Sequence, residues 1–290
     1  MKLDGRRESG NVEDRRGMSG GTAAGLGIGG IVIVGLITLM MGGNLGDVLR
    51  NVSNMGGISS GTQTSQTREF TAQEAELATF SKQILASTED VWSAYFAKNN
   101  LGTYRNPTLV LYTDATATSC GTGQAAMGPF YCSADEKLYI DLSFFMTMRQ
   151  QLGADGDFAY AYVIAHEVGH HVQNLLGTLG KAHSQMARMS KTDANRMSVR
   201  IELQADFYSG IWAHYENSMF NSIEDGDLVE AIRCASVIGD DYLQKKAQGY
   251  AVEESFTHGT AQQRMRWLKL GMTTGDIRQG NTFALQDNQL

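Results

Sequence analysis

Apolar residues recur along most of this 290-residue chain with the period of an α-helix. From residue 70 onward they return every three or four positions, which places them on one helical face. The first such segment starts after Thr71, and Glu74 three residues later gives it the signature of a capping box. Further helix starts are indicated at Asp157, Asp193 and Thr260.

Two short segments have the composition of β-strands instead. TLVLYT (residues 108–113) and KLYIDL (residues 137–142) are rich in β-branched and aromatic residues. We expect them to pair in a small sheet. The predicted fold class is therefore α+β, mainly helical, with a minor sheet.

The chain before residue 70 has a different pattern. Residues 17–46 contain no charged residue, and the central stretch, residues 22–41, reads TAAGLGIGGIVIVGLITLMM. Its 20 residues match the length that crosses a bilayer core of roughly 30 Å. A cleaved signal peptide usually has a shorter apolar region of about 7 to 15 residues, so the pattern favours an uncleaved transmembrane helix. A buried glycine-rich helix is the alternative.

This pattern divides the chain into four parts. They are a cytoplasmic N-terminal tail (1–21), one transmembrane helix (22–41), a flexible linker rich in small polar residues (42–69) and a folded domain (70–290). Five Lys or Arg residues precede the span and only Arg50 lies close after it. The positive-inside rule therefore predicts a single-pass protein of the bacterial inner membrane, with its domain in the periplasm.

Three glycines lie at four-residue spacing in or next to this stretch, at Gly21, Gly25 and Gly29. Small residues at this spacing let two membrane helices approach closely, which would produce a homo-oligomer. Glycines that are merely tolerated within one span explain the spacing equally well.

The charge balance excludes nucleic acid as an expected partner. The formal net charge is −7, and the chain has no stripe rich in Lys and Arg. Proteins that bind nucleic acid usually present such a basic surface.

Cys120 and Cys132 bracket a short segment rich in loop-forming residues. A disulfide between them would fit a periplasmic protein and would stabilise the fold by about 3 kcal/mol through loop closure. Two unpaired buried thiols are the alternative. Cys234, in a segment of helical pattern, is expected to be a single buried thiol.

The clearest chemical signal is HEVGHHVQ at residues 166–173. His166 and His170 are one helical turn apart, so both imidazoles project from one face, as two ligands of one metal require. Glu167 is placed to take a proton from a zinc-activated water. His171 points about 100° away from His170, so we expect it beside the metal site or at the surface.

A third ligand is expected on another helix. Glu202 and Asp206 are four residues apart in ELQAD, and their apolar neighbours argue against the alternative of a solvated carboxylate pair. Glu202 is predicted to coordinate the metal. Asp206 is predicted to accept the free N–H of a ligand histidine and so to fix its tautomer.

Other candidates have less specific signals. His258, just before a helix start, either stabilises the developing oxyanion as a catalytic residue or has a structural role. His183 and His214 are expected to be ordinary polar residues. Gly169, inside a helix, suggests that another backbone approaches closely, with the sheet edge as the candidate.

Five long segments of the chain are specific enough to compare with known families: KLDGRRESGNVEDRRG, GPFYCSADEKLYIDLSFF, GDFAYAYVIAHEVGHHVQNLLG, IELQADFYSGIWAHY and FTHGTAQQRMRWLKLG. They resemble a family of bacterial neutral zinc metallopeptidases, which are membrane-anchored proteins with one H-E-x-x-H domain. The resemblance runs from the N-terminus to about Phe283. It implies a zincin-like metallopeptidase domain that holds Zn²⁺ through His166, His170 and Glu202, with Glu167 as the catalytic base.

The chain departs from this family at two positions. Many members carry cysteines where this chain has Phe207 and Gly280. The resemblance therefore implies that a second disulfide has been lost, without leaving an unpaired thiol.

The predicted function is hydrolysis of peptide bonds in protein or peptide substrates by a membrane-anchored, zinc-dependent enzyme. The alternative is a zinc-stabilised, non-catalytic binding protein at the membrane. That alternative needs the three ligands but not Glu167, and a fourth protein ligand would favour it.

Overall fold

The computed structural model of the chain describes residues 1–17, 70–125 and 128–290. The predicted transmembrane helix (22–41) and linker (42–69) lie outside these described residues. Within them, every helix is too short or too polar to cross a membrane.

Helices form most of the described chain, as predicted, and two of the predicted N-caps are confirmed. Thr71 and Thr260 each form a capping box, with Glu74 and Gln263 respectively. The helix predicted from Asp193 begins two residues earlier, because the Ser190 hydroxyl accepts the backbone N–H of Asp193. The helices are α1 (Ala72–Asn99), α2 (Ser143–Thr147, extended by a π-turn to Leu152), α3 (Asp157–Leu175), α4 (Thr178–Met186), α5 (Lys191–Phe220), α6 (Asp227–Val237), α7 (Asp240–Gln248) and α8 (Ala261–Thr274).

The small sheet is also confirmed. The two predicted strands lie side by side and parallel, with Thr108 opposite Lys137. The four-stranded sheet has the order β1-β2-β6-β5, in which β5 is an antiparallel edge strand, and β3 and β4 form a separate hairpin. The strands are β1 (Val12–Asp14), β2 (Thr108–Tyr112), β3 (Ala115–Thr118), β4 (Gly121–Gln124), β5 (Phe130–Cys132) and β6 (Lys137–Asp141).

The N-terminal segment, residues 1–17, packs as part of this fold. Its strand β1 pairs with β2, and Arg6 forms a 2.8 Å ion pair with the fully buried Glu216 on α5. The predicted division placed this segment in a tail separate from the domain. In the structure, the folded unit contains residues 1–17 together with the chain from residue 70 onward.

Helices α3 and α5 cross closely at Gly169. A Cβ atom at this position would lie 2.9 Å from the Ala205 carbonyl oxygen and 3.1 Å from the Ala205 Cα. A close backbone approach was predicted here, but the partner is α5 and not the sheet edge. A similar contact joins α5 to α8, where a Cβ on Gly271 would overlap the Phe207 carbonyl.

The cysteines are arranged as predicted. Cys120 and Cys132 form a disulfide that ties the end of β5 to the hairpin, and Cys234 is a free, buried thiol. Phe207 and Gly280 lie against each other, since a Cβ on Gly280 would overlap the Phe207 ring. The two positions at which the resemblance implies a lost disulfide are therefore neighbours in the fold.

Thiol titration tests this cysteine arrangement. In folded protein purified without reductant, we expect no fast-reacting thiol, because burial raises the pKa of Cys234 to about 12. Denaturation without reductant should expose one thiol, and reduction should raise the count to three. Three reactive thiols before reduction would contradict the disulfide.

Candidate metal centre

The three predicted metal ligands meet in the structure. Helix α3 carries His166 and His170 one turn apart, with ring centroids 4.9 Å from each other, and α5 brings Glu202 against both. The Nε2 atom of His166 is 3.1 Å from Glu202 Oε2, and Nε2 of His170 is 3.5 Å from Glu202 Oε1. The three donor atoms lie within 4.8 Å of one another.

This donor set fits zinc. Tetrahedral zinc with bonds of about 2.0 to 2.2 Å has its ligand atoms roughly 3.3 to 3.6 Å apart. The His170–Glu202 separation of 3.5 Å lies in this range, and the His166–Glu202 separation of 3.1 Å is slightly shorter. Two imidazoles and one carboxylate are also the protein ligands of one known type of catalytic zinc site. Among the described residues, no fourth His, Cys, Asp or Glu joins the cluster.

Hydrogen bonds fix the orientation of both histidine rings. His166 donates from Nδ1 to Asp206 (2.8 Å), as predicted, and His170 donates from Nδ1 to the Gln173 amide oxygen (2.9 Å). The amide nitrogen of Gln173 donates in turn to the Ile201 carbonyl (2.8 Å), which holds the Gln173 amide in this orientation. The Nε2 atoms of both rings therefore face Glu202.

Gln173 was missed by the sequence reasoning. It lies three residues after His170, so the two side chains share a helical face, and this spacing could have identified it. The fully buried Gln173 is placed to keep His170 in the tautomer that a metal requires.

Asp206 is fully buried and is held by a positive charge that the sequence did not reveal. Arg264 donates from Nε and Nη2 to its two oxygens, both at 2.9 Å, and the Tyr162 hydroxyl donates to Oδ1 at 2.5 Å. Burial raises the pKa of Asp206, but Arg264 and His166 outweigh this effect and lower the pKa to about 2. Asp206 therefore stays ionised beside His166.

Sequence spacing could have suggested the contact of Tyr162 with the site, but not the contact of Arg264. Tyr162 precedes His166 by one helical turn, a spacing that could have suggested a contact. Arg264 lies 58 residues beyond Asp206 on α8, so only the tertiary fold brings it to the site.

The charges of the cluster suit a metal cation. Burial raises the pKa of Glu202, but nearby His170, His258 and His166 outweigh it and hold the pKa well below the usual value. Burial lowers the pKa of His166, but Asp206 and Glu202 outweigh this and raise it to about 10. Binding of a metal must therefore displace a proton from His166.

Glu167, the predicted base, is nearly buried in the same cavity wall as the metal donors. Its side chain lines a cavity of about 380 Å³ that the three donor residues also line, and only 8% of Glu167 is exposed. Burial raises the pKa of its carboxyl group above the usual value. A carboxylate with a raised pKa is a stronger proton acceptor.

His258 lines the same cavity. Its Nδ1 atom lies 3.0 Å from the Thr257 hydroxyl and 3.4 Å from Asp240 Oδ1. The other oxygen of Asp240 accepts the backbone N–H groups of Thr257, His258 and Gly259 at 2.7 to 2.9 Å, which fixes this loop. The fold therefore brings His258 into the same cavity wall as Glu167, from a separate segment just before α8.

The other histidines have different surroundings. His171 is outside the cluster, as predicted, but it is fully buried, and it joins α3 to the Arg105 carbonyl (2.6 Å) and to the Tyr131 hydroxyl (2.9 Å) on β5. His214 donates to a backbone carbonyl of α8 (2.9 Å). His183, expected to be an ordinary polar residue, lines the cavity beside the metal donors.

The chain has relatives among known proteins. It is 48% identical to "Uncharacterized protein YpfJ" of Escherichia coli (strain K12), over 98% of this chain and 99% of the relative. It is 38% identical to "Uncharacterized protein Rv2575" of Mycobacterium tuberculosis (strain ATCC 25618 / H37Rv), over 69% of each chain. No solved structure matches the chain.

A family match covers almost the whole chain. The family described as "Putative neutral zinc metallopeptidase" matches residues 1–283, which include the N-terminal segment and the metal cluster. The chain therefore belongs to this family of zinc metallopeptidases, as the sequence resemblance implied.

Replacement of Arg264 tests its positioning role at the metal centre. Arg264→Ala is expected to weaken zinc binding by about 10- to 100-fold, because Asp206 would hold His166 less firmly. Arg264→Lys should recover part of the affinity, since it keeps the charge but not the two-pronged geometry. Zinc affinity can be measured by competition with a fluorescent chelator.

Lys269→Ala, an exposed change on the same helix, is the matched control and should bind zinc as the wild type does. The role of Arg264 would be refuted if Arg264→Ala bound zinc with unchanged affinity.

Proposed function

We propose that this protein is a zinc-dependent peptidase with a zincin-like catalytic domain that hydrolyses peptide bonds. The observation that carries this proposal is the position of Glu167, which lines one cavity with His166, His170 and Glu202. One cavity thus contains a candidate base, three metal donors and space for a substrate.

Zinc, when held by the three donors, would supply a Lewis acid that activates water and polarises the substrate carbonyl. Glu167 accepts the proton of the attacking water and then delivers it to the leaving amine. His258 donates a hydrogen bond to the oxygen of the carbonyl as negative charge develops there. Asp206 and Gln173 keep the two histidine rings in place throughout.

The cavity favours peptides with a bulky apolar residue next to the cleaved bond. Much of its wall beside the metal donors is hydrocarbon, and apolar side chains gain about 25 cal/mol per Å² when they leave water. The apolar residues that line it include Phe130, Val163, Leu179, Met186, Ile201 and Leu243.

The alternative of a non-catalytic zinc protein is less well supported. Such a protein would be expected to close its metal site with a fourth protein ligand. In the described parts of the chain the cluster has three donors, and the carboxylate of the nearly buried Glu167 makes no hydrogen bond or ion pair that would explain it as a structural residue. A catalytic role for Glu167 explains why a carboxylate is buried at this point.

Replacement of the base tests the proposed mechanism. Glu167→Gln is expected to bind zinc as tightly as the wild type and to lose hydrolysis by a factor of about 10² to 10⁴, because the amide cannot accept the proton. Activity would be measured on a fluorogenic peptide library that varies the apolar residue beside the cleaved bond. Glu253→Gln, at an exposed position, is the matched control. Undiminished hydrolysis by Glu167→Gln would rule the mechanism out.

A second variant tests the role of His258. His258→Ala is expected to lower kcat by about 10² to 10³, with little change in KM or zinc affinity, because its hydrogen bond forms only as charge develops. His183→Ala, which also changes a histidine of the cavity wall, should lower kcat far less. If His258→Ala lost zinc affinity in parallel with kcat, the role of His258 would be structural.

A further inference from the structure

The N-terminal segment, residues 1–17, is built into the same sheet as the metal-binding domain. Strand β1 pairs in parallel with β2, with Val12 opposite Leu109 and Asp14 opposite Leu111. Just outside these pairs, the Leu109 N–H donates to the Asn11 carbonyl (2.9 Å), and the Arg15 N–H donates to the Leu111 carbonyl (2.7 Å). The segment therefore supplies one edge strand of the sheet.

Two buried carboxylates of the long helices depend on this segment. Glu216 on α5 is fully buried and forms a 2.8 Å ion pair with Arg6. Glu89 on α1 is 4% exposed and accepts hydrogen bonds from Ser9 (2.6 Å) and Asn11 (2.7 Å). Removal of such partners leaves charge buried without full compensation, which is strongly destabilising.

The contacts of residues 1–17 also explain why basic residues occur near the N-terminus, without reference to membrane topology. The positive-inside rule counts them as charges that stay in the cytoplasm. In the structure, however, Arg6 pairs with Glu216, Arg7 lies 2.6 Å from Asp90, and Arg16 lies 2.6 Å from Asp14. Their positive charge is used within the folded protein.

The end of the N-terminal segment and the start of the described chain at residue 70 lie next to each other in the fold. The Arg16 guanidinium lies 4.2 Å from the centroid of the Phe70 ring, and Arg16 donates to the Glu74 carbonyl (3.0 Å). Residues 18–69 contain only one apolar stretch long enough to span a bilayer, at 22–41. A return crossing would need the polar sequence of residues 42–69, including Asp47 and Arg50, to enter lipid.

We propose that residues 1–17 and 70–290 lie in the same aqueous compartment, so that the chain does not pass from one side of a membrane to the other between them. A single crossing by residues 22–41 would hold residues 1–17 on the opposite side of the bilayer from their partners in the chain after residue 70, such as Glu216, Glu89 and Leu109. The proposal replaces the topology predicted from flanking charges, and it does not depend on whether the protein is a peptidase.

Cysteine labelling in intact cells tests this topology with the full chain. Gly10→Cys introduces a thiol at an exposed position with free space around it, and Ala247→Cys does so on the exposed face of α7. A membrane-impermeant maleimide would be added before or after detergent lysis. Mass spectrometry of the two peptides separates these thiols from the natural cysteines.

We expect the two positions to behave alike, either both labelled in intact cells or both protected until lysis. Labelling of one position in intact cells while the other is protected would overturn the proposal. Full labelling of both positions after lysis is the control for accessibility.

A stability measurement on the purified full chain supplies a second test. Arg6→Ala is expected to lower the melting temperature by about 4 °C or more, because the buried Glu216 would lose its ion-pair partner. Lys2→Ala, whose side chain is largely exposed, is the matched control and should melt as the wild type does. Equal melting temperatures for all three proteins would contradict the dependence of the fold on its N-terminal segment.

Discussion

The site depends on how closely α3 and α5 approach each other at Gly169. Because this residue has no Cβ, the Ala205 backbone can lie against the metal-binding face of α3. Glu202, one turn before Ala205, is thereby brought within 3.5 Å of both ligand histidines. A side chain at position 169 would force the helices apart and would separate the donors that a tetrahedral metal needs close together.

Hydrogen bonds to residues behind the metal donors fix the orientation of the His166 ring. Asp206 accepts hydrogen bonds from His166, Tyr162 and Arg264, and it lies entirely out of water. A buried ion pair of this kind contributes little to stability, because removing both charges from water offsets their attraction. The ion pair instead orients a metal ligand. The Asp206 carboxylate fixes the His166 ring, and Arg264 fixes the carboxylate.

The sequence predicted the parts of the site that local spacing defines. His166, His170 and Glu167 follow from one helical turn, Glu202 and Asp206 share a face of α5, and the capping boxes at Thr71 and Thr260 are also local signals. It did not predict the contacts made by residues far apart in the chain. Arg264 reaches Asp206, and the N-terminal segment reaches the sheet, only through tertiary packing, and a charge count at the N-terminus cannot tell a paired arginine from a free one.

The central claim is that His166, His170 and Glu202 hold one zinc ion and leave part of its coordination to water and substrate. Anomalous diffraction from crystals of the zinc-loaded protein tests it most directly. The account predicts one strong zinc peak within bonding distance of Nε2 of both histidines and of the Glu202 carboxylate, without a fourth protein ligand. A zinc peak elsewhere, or a fourth protein side chain bound to the ion, would contradict it.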